Sequence, residues 1–565
     1  MKIALLPNNT GVVTGSYHPA LPGLLRSLPD ARWNGVTKRW TFHATPAGCC
    51  RLLGELAAVG IAFEVDASIE DMGQRWRDEQ VSRTAALENG CDVEMPLGLT
   101  TVLWRHQKRT FAFAKDSEAA MMHLAMGSGK SLATLALLVH WKAKRILIAC
   151  PKAVIGVWRR ETTRHAPGLF RVLCLDTGSG VQKAAQMRSA LFSASSLMVV
   201  VNYETLIGAA VLKEVEKYQW DVVVAEECHR IKGAATKTSR AMYAIGRQAK
   251  RRLALSGTPM VQGPIDLYGQ FRFLDAGVFG TSLSRFKDRY CVVSPAMPHV
   301  ILSYKNQDEL KRRFRELAIT ITLDDAALDL PPLTHEKMLL ELEPAARKIH
   351  DELMAESVAQ FGDLDAAIEA MLDGPKPNQV TAGNVLTLLL RLSQITGGFV
   401  RNDNNEVVVV SDVKQRALAE LLEDIPPTEP VVVFCRFVED LRRVRETARV
   451  CGRTYGEISG RQKDLTPQAT MPDGIGVMGV QWQSGGVGID LSRASYGVIY
   501  SPTYSGGDFE QGIARLHRPG QKRPTVFYHL ICANTVDQKV YAALSRKKKL
   551  IERVTDDHDA GTQRA

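Results

Sequence analysis

The clearest chemistry lies between residues 119 and 131. An apolar run, Ala119 to Leu124, leads into Ala125-Met126-Gly127-Ser128-Gly129-Lys130-Ser131, and the following Leu132 to Trp141 has a helix-favouring composition. Strand, glycine loop and helix in this order make an anion cradle. Gly127 and Gly129 let backbone N–H groups close around phosphate oxygens, Lys130 brings a positive charge to the β- and γ-phosphates, and Ser131 can ligate Mg²⁺ at a helix N-terminus. The first glycine of GxxxxGK[ST] is absent, with Leu124 in its place.

Further along, Asp221-Val-Val-Val-Ala-Glu226-Glu227-Cys228-His229-Arg230 reads as a buried strand ending in adjacent acids. One acid can hold Mg²⁺ while the next orients or deprotonates an attacking water. Ser256-Gly257-Thr258-Pro259 follows another apolar run, and its hydroxyls can link the state of a γ-phosphate to domain motion; alone it is an ordinary turn. Gln511-Gly-Ile-Ala-Arg515-Leu-His-Arg518-Pro-Gly-Gln521 puts two arginines at i and i+3, which predicts one helical face able to aim guanidinium groups at phosphate. A nucleotide held by one domain and touched by arginines from another makes hydrolysis depend on cleft closure, and an arginine finger is worth ~10³ to 10⁵ in rate.

These groups need scaffolds, and the sequence supplies two. Short β-branched runs recur at 145–149, 197–201, 221–225 and 252–255, and again at 430–434, 474–480, 497–500 and 526–531, separated by helix-compatible segments. That rhythm predicts two α/β domains, each a parallel sheet covered on both faces. The expected organisation is an N-terminal α+β module at 1–70, a connector at 71–98, a first lobe at 99–280, a helical insertion at 281–380, a second lobe at 381–545, and a basic helix end with a polar tail at 546–565.

The chain has 565 residues, of which 45% are apolar, enough for several buried cores and too many for a disordered chain. Lysine and arginine total 71 against 61 acids, a net charge of +10 that favours a polyanionic partner. The initial apolar run is too short for a signal peptide and no window reaches ~18 continuous apolar residues. A soluble protein with no membrane partner is expected, cytoplasmic in a bacterial or bacteriophage setting, or nuclear in a eukaryotic one. The ten cysteines include no pair at the spacing of a structural zinc site and read as reduced, mostly buried thiols.

In this order the segments resemble the helicase-like ATPases of superfamily two, and specifically the Swi/Snf family of double-stranded DNA translocases, over roughly residues 100–545. Leu103-Trp-Arg-His106-Gln107 is similar to the adenine-reading segment, Ala149-Cys-Pro151-Lys152 to Trp158 to motif Ia, Asn202-Tyr203-Glu204-Thr205 to the next DNA-facing motif, and Leu255 to Pro259 to motif III. Val432-Val433-Phe434 resembles motif IV, Ser484-Gly485-Gly486-Val487-Gly488-Ile489-Asp490-Leu491 motif V, and Gln511 to Gln521 motif VI.

The resemblance implies an α/β protein of two tandem RecA-like parallel-sheet lobes with helical insertions. It implies ATP and Mg²⁺ as cofactors. ATP would be met by His106, Gln107, Met126, Gly127, Ser128, Gly129, Lys130, Ser131, Gly488 and Asp490, and the metal by Ser131 and Glu226. Glu227, Arg515 and Arg518 take the catalytic roles, while His229, Ser256, Thr258 and Gln511 couple hydrolysis to movement. Lys152, Asn202, Tyr203, Ser484, Gly485 and Gly486 are the expected contacts to the DNA backbone, without sequence specificity.

Residues 22–53, with Leu24-Leu25, Pro29, Trp33, Lys38 and Trp40-Thr-Phe42, resemble the HepA-related (HARP) domain found beside this motor in annealing helicases. That implies a module directing a monomeric motor to forked or branched DNA, with rewinding or remodelling as outcome and no conventional unwinding. An unrelated α+β cap on the motor is the alternative. An ATP-driven remover of DNA-bound protein and a DNA-binding protein with a decayed ATPase are the other functional readings. Two positions depart from the family: Glu226 stands where aspartate is usual, moving the carboxylate by roughly 1 to 1.5 Å, and Cys228 stands where alanine is usual. Misplacement of about 1 Å costs on the order of 100-fold in rate, so the expectation is an active enzyme with a reason to be slow.

Overall fold

The structure, a computed structural model, describes residues 1–555 apart from 16, 90–92, 261–262, 295–300, 323–324, 327–329, 362–379, 402–405, 467–468, 485–488 and 519–520. Two compact units make up the chain, one holding Met1–Met260 and Pro264–Ala326 and the other Ala327–Glu552.

Among the described residues the first unit contains two large sheets and a small two-stranded one. Its larger sheet runs Ala318–Ile321, Ala119–Leu124, Arg251–Ser256, Val222–Glu226, Arg145–Cys150, Leu197–Asn202, Arg171–Cys174, with every pairing parallel. The strands are continuous apolar runs, as in Leu197–Asn202, because helices bury both faces of a parallel sheet. All central strands therefore point their carboxyl ends to one edge, where loops can converge on a ligand. The second unit repeats the plan with the order Leu333–Leu340, Thr525–Cys532, Tyr496–Ile499, Val431–Cys435, Val477–Gln481, Tyr455–Ile458, again all parallel.

The span 281–380 differs from the helical insertion expected of it. It supplies Ala318–Ile321 to the first large sheet and Leu333–Leu340 to the second, with a hairpin of Cys291–Val293 and Ile301–Tyr304 before them. Both sheet strands are edge strands: Ala318–Ile321 is buried but short and interrupted by Thr320, and Leu333–Leu340 exposes the polar run Thr334–Lys337, so neither shows the dense apolar run of a central strand. The polar tail at 556–565 lies outside the described residues.

Residues 1–65 form a five-stranded sheet, ordered Arg32–Asn34, Arg39–His43, Thr10–Thr14, Lys2–Leu6, Glu64–Val65. The helix Pro46–Ala58 covers it, and Leu25, Phe42, Cys49, Leu52 and Leu56 fill the core between them. Trp33 and Trp40 face each other across the outer hairpin with ring centroids 5.6 Å apart. The expected connector at 71–98 lies largely within a helix, Ala67–Asn89, with 93–98 outside it. It is anchored by the buried Arg83, which donates to Ser117 Oγ (3.2 Å), Ala119 O (2.8 Å), Glu79 Oε2 (3.1 Å) and the carbonyl of Glu316.

The N-terminal module is seated on the larger sheet's helices within this same unit. The helix Leu267–Phe279 breaks its geometry at Asp275 (φ −149°, ψ 108°), whose carboxylate accepts from Gly277 N at 2.7 Å and from Ala47 N at 3.2 Å. Gly277 permits the approach: a Cβ there would lie 2.3 Å from Gly48 N. Asp30 accepts from Tyr243 Oη at 2.8 Å and pairs with Arg247 at 3.3 Å. Nine described cysteines are free thiols, seven of them buried, and Cys91 lies outside the described residues.

Candidate active site

The phosphate loop follows the carboxyl end of Ala119–Leu124 and opens the helix Lys130–His140. Gly127 and Gly129 have φ of 81° and 78°, the left-handed region that glycine adopts without steric cost. At Gly129 a Cβ would also collide with Gln107 Nε2 at 2.1 Å. Lys130 Nζ donates to Leu124 O at 3.0 Å, and Ser128 Oγ to Ala125 O at 2.6 Å, so the loop is folded around its own carbonyls. Ser131 lies in the first helical turn, beside the helix N-terminus that attracts anions. Met126 sits partly exposed over Gly257, where a Cβ would meet the Met126 Cγ at 3.0 Å.

His106 and Gln107 are buried and brace this loop from behind: His106 Nε2 and Gln107 Nε2 lie 2.8 and 2.9 Å from Ser128 O. Gln107 Oε1 accepts from Trp104 N at 3.0 Å, closing the start of the helix Arg105–Ala114.

The acid pair lies at the carboxyl end of Val222–Glu226, one strand removed from the loop strand across Arg251–Ser256. Glu226 is buried, and burial pushes its carboxyl up to about 8, with the charge of Glu227 adding and Lys130 opposing. Its Oε2 accepts no hydrogen bond among the described residues. A buried carboxyl oxygen without a donor is chemically suited to a divalent cation, a hard ion held by oxygen ligands.

Glu227 turns sharply, with φ 50° and ψ 56°. Its Oε2 lies 3.4 Å from both Ser256 Oγ and His229 Nδ1, so two of the expected coupling residues approach the acid. Ser256 Oγ also accepts from Thr258 N at 3.0 Å, while Thr258 Oγ1 is buried with no hydrogen-bond partner among the described residues.

Two expected DNA contacts in this unit are buried instead. Tyr203 is 2% exposed and its hydroxyl donates to Glu226 O at 2.8 Å, fixing the strand end that carries the acid. Asn202 is also buried and donates from Nδ2 to Glu204 Oε2 at 2.8 Å. Tyr203, just after Leu197–Asn202, thus reaches past Arg145–Cys150 to the end of Val222–Glu226, whereas the Asn202 bond stays within its own turn. Lys152 is exposed, as a phosphate contact requires.

In the second unit Gln511 and Arg515 lie on the helix Gly506–Leu516. The helix stops at Leu516, so Arg518 falls beyond it and the two arginines do not share a helical face. The residue before proline is disfavoured in the helical region, and Pro519 follows Arg518 directly. Arg518 Nη1 donates to Ile489 O at 3.1 Å and lies 3.6 Å from Asp490 Oδ2. Asp490, expected at the nucleotide, thus pairs with the finger candidate and caps Ser492 through Oδ1 (2.9 Å to N, 2.6 Å to Oγ). Ser484 is partly exposed after Val477–Gln481, and Gly485, Gly486 and Gly488 lie outside the described residues.

A glycine-lysine loop and an acid pair at carboxyl ends of one parallel sheet, with a single strand between them, followed by a second parallel α/β unit, define the class of two-lobed P-loop proteins. The SNF2-related domain matches residues 80–397 and the helicase conserved C-terminal domain residues 413–520. This chain belongs to the SNF2-related family.

Among relatives, a putative ATP-dependent helicase/translocase YwqA of Bacillus subtilis (strain 168) is 24% identical over 531 residues, covering 89% of this chain and 53% of that protein. A SWI/SNF-related matrix-associated actin-dependent regulator of chromatin subfamily A-like protein 1 homolog from Caenorhabditis elegans is 23% identical, covering 96% and 74%. The DNA repair and recombination protein RDH54 of Saccharomyces cerevisiae (strain YJM789) is 24% identical, covering 85% and 53%. The chain thus spans about half the length of two of these three relatives. A solved Sulfolobus solfataricus SWI2/SNF2 ATPase core in complex with dsDNA is 22% identical, with a TM-score of 0.39 over 82% of this chain and 94% of that one. Among the described residues no helix is long and apolar enough to cross a membrane.

Proposed function

We propose that this chain is an ATP-dependent translocase on double-stranded DNA, a DNA-stimulated ATPase that remodels or anneals forked DNA without conventional unwinding. The observation that carries the reading is the first lobe's site: a phosphate loop with both glycines in the left-handed region, and beside it a buried acid with an unpartnered oxygen next to a second acid approached by Ser256 and His229. Family membership and the repair and translocase names of the relatives support the same reading.

In this mechanism Lys130 and the loop N–H groups bind the triphosphate, and Ser131 and Glu226 are the residues that would hold Mg²⁺, whose charge would offset that of the phosphate oxygens. Glu227 orients the attacking water and accepts its proton. Arg518 and Arg515 supply charge to the phosphoryl group, and Asp490 restrains Arg518 in the meantime. The net charge of +10 and the exposed Lys152 suit a DNA backbone read without sequence preference. The module at 1–70, through its HARP resemblance, would select the fork.

The test is steady-state ATP hydrolysis by the full chain with no nucleic acid, single-stranded DNA, duplex DNA, forked DNA and RNA, each with Mg²⁺. Strongest stimulation by forked or duplex DNA, abolished by Glu227→Gln with ATP binding retained, is the expected result. Hydrolysis in none of them would overturn it, as would robust separation of a simple tailed duplex.

A further inference from the structure

Glu227 holds a backbone conformation that non-glycine residues adopt rarely, at φ 50°. Such strain persists only where the surroundings over-determine it. The residue that follows, Cys228, is fully buried, and its thiol donates to Gln270 Oε1 at 2.8 Å. Gln270, itself fully buried, donates from Nε2 to Pro259 O at 2.6 Å and to Asp266 O at 2.9 Å.

One amide therefore ties the residue after the acid to the end of the Ser256–Pro259 turn. On the other side of the same acid, Ser256 Oγ reaches the Glu227 carboxylate. The helix Leu267–Phe279 that carries Gln270 lies hard against the acid loop: a Cβ at Gly269 would stand 2.3 Å from Ile231 O and 2.5 Å from Lys232 O. The helix and the loop are thus in direct backbone contact at Gly269. An alanine at 228, as in the family pattern, would have no donor to give Gln270.

We infer that Cys228 and Gln270 are positioning residues for Glu227, locking its left-handed turn in register with the Ser256–Pro259 loop. The inference rests on the hydrolytic reading of Glu227 given above. It makes the two loops one rigid piece, so that a change at Thr258 or Ser256 reaches the acid without slack. Misplacement of a reacting group by about 1 Å costs on the order of 100-fold, and a single lost anchor permits part of that.

The test uses the full chain as wild type, Cys228→Ala, Cys228→Ser, Gln270→Leu and the Cys228→Ala/Gln270→Leu double variant. Turnover is measured against ATP concentration with Mg²⁺ and duplex DNA, with thermal melting alongside. Cys228→Ala should lower kcat roughly 3- to 10-fold and leave KM for ATP within about twofold. Cys228→Ser, which restores an O–H donor, should recover most of the loss. The double variant should be no slower than the worse single one, because both break the same link.

A Cys228→Ala enzyme with wild-type kcat, or a Cys228→Ser enzyme as slow as Cys228→Ala, would overturn the positioning role. So would a fall in melting temperature with no change in kcat below it. Wild-type turnover that Lys130→Ala abolishes and Cys228→Ala leaves intact would remove this inference alone. An inactive wild type would remove the hydrolytic reading first and this one with it.

Discussion

Arg51 fastens the N-terminal module to its unit, and Arg51→Ala should loosen that module. Its guanidinium donates from Nη1 to the carbonyls of Gly277 and Val278, the latter at 2.7 Å, and from Nη2 to the Glu316 carboxylate. The ion pair is about one-fifth exposed at either end, 23% and 20%. Burial lifts the Glu316 carboxyl, and Arg51 is the largest charge opposing that rise.

Truncation does not strand every partner. Val278 O keeps a bond from Arg313 Nη1 at 2.6 Å, and Arg313 and Arg312 still bias Glu316 toward its charged form. The loss is then one carbonyl deprived of a donor, about 1 to 3 kcal/mol, and a partly screened ion pair, about 1 kcal/mol. Their sum is about 2 to 4 kcal/mol, and Arg51→Lys should recover only part of it, since an ammonium cannot fork between carbonyls and carboxylate. Urea unfolding measures the sum. Hydrogen exchange locates it: protection should fall in Pro46–Ala58 and remain in Val222–Glu226. A variant within about 0.5 kcal/mol of wild type, with unchanged protection in Pro46–Ala58, would refute the argument.

Lys130→Ala should abolish ATP turnover, because no other cation stands in the loop's own sequence; full residual activity in a steady-state assay would mean the site lies elsewhere. Arg518→Ala should leave ATP affinity largely intact and lower DNA-stimulated kcat by 10-fold or more, toward the ~10³ that an arginine finger can supply; equal rates would leave Arg518 with a structural role through Ile489 O and Asp490. The pH dependence of stability should carry His43. Burial, with the Arg247 guanidinium next, lowers its pKa from 6.5 to about 4, so between those values the unfolded chain binds a proton that the folded one does not. Stability contributed by the neutral form is complete above pH 6.5 and lost as pH falls toward 4, by about 3 kcal/mol at most. His43→Gln should flatten that slope in melting curves, and an unchanged slope would assign it to other groups.

The local rules carried the reading where chemistry and backbone geometry coincide. Gly127 and Gly129 are legible because the loop's positive φ angles admit little else, and the acid pair because a buried apolar strand delivers it to a sheet edge. Central strands of both sheets are legible for the same reason: burial on both faces leaves an uninterrupted apolar run. Ala318–Ile321 escaped because Thr320 interrupts a short run that the fold nevertheless buries, and Leu333–Leu340 because an edge strand can leave Thr334–Lys337 exposed.

What no local rule exposes is support at a distance. Tyr203 looks like a surface residue of a DNA-facing motif, yet its hydroxyl is used by Glu226 O, 23 positions away. Gln270, a polar residue inside an apolar helix, carries a visible signal, since a buried amide must find partners; which partners they are depends on the sheet order that brings residues 228 and 259 to the same helix. Cys228 is the instructive residue. From sequence it is a small thiol replacing alanine with no evident consequence, whereas in the fold its single donor sits between the acid and Gln270. The chemistry of a site is thus written in the residues that touch the substrate, and its precision in residues whose partners only the tertiary structure identifies.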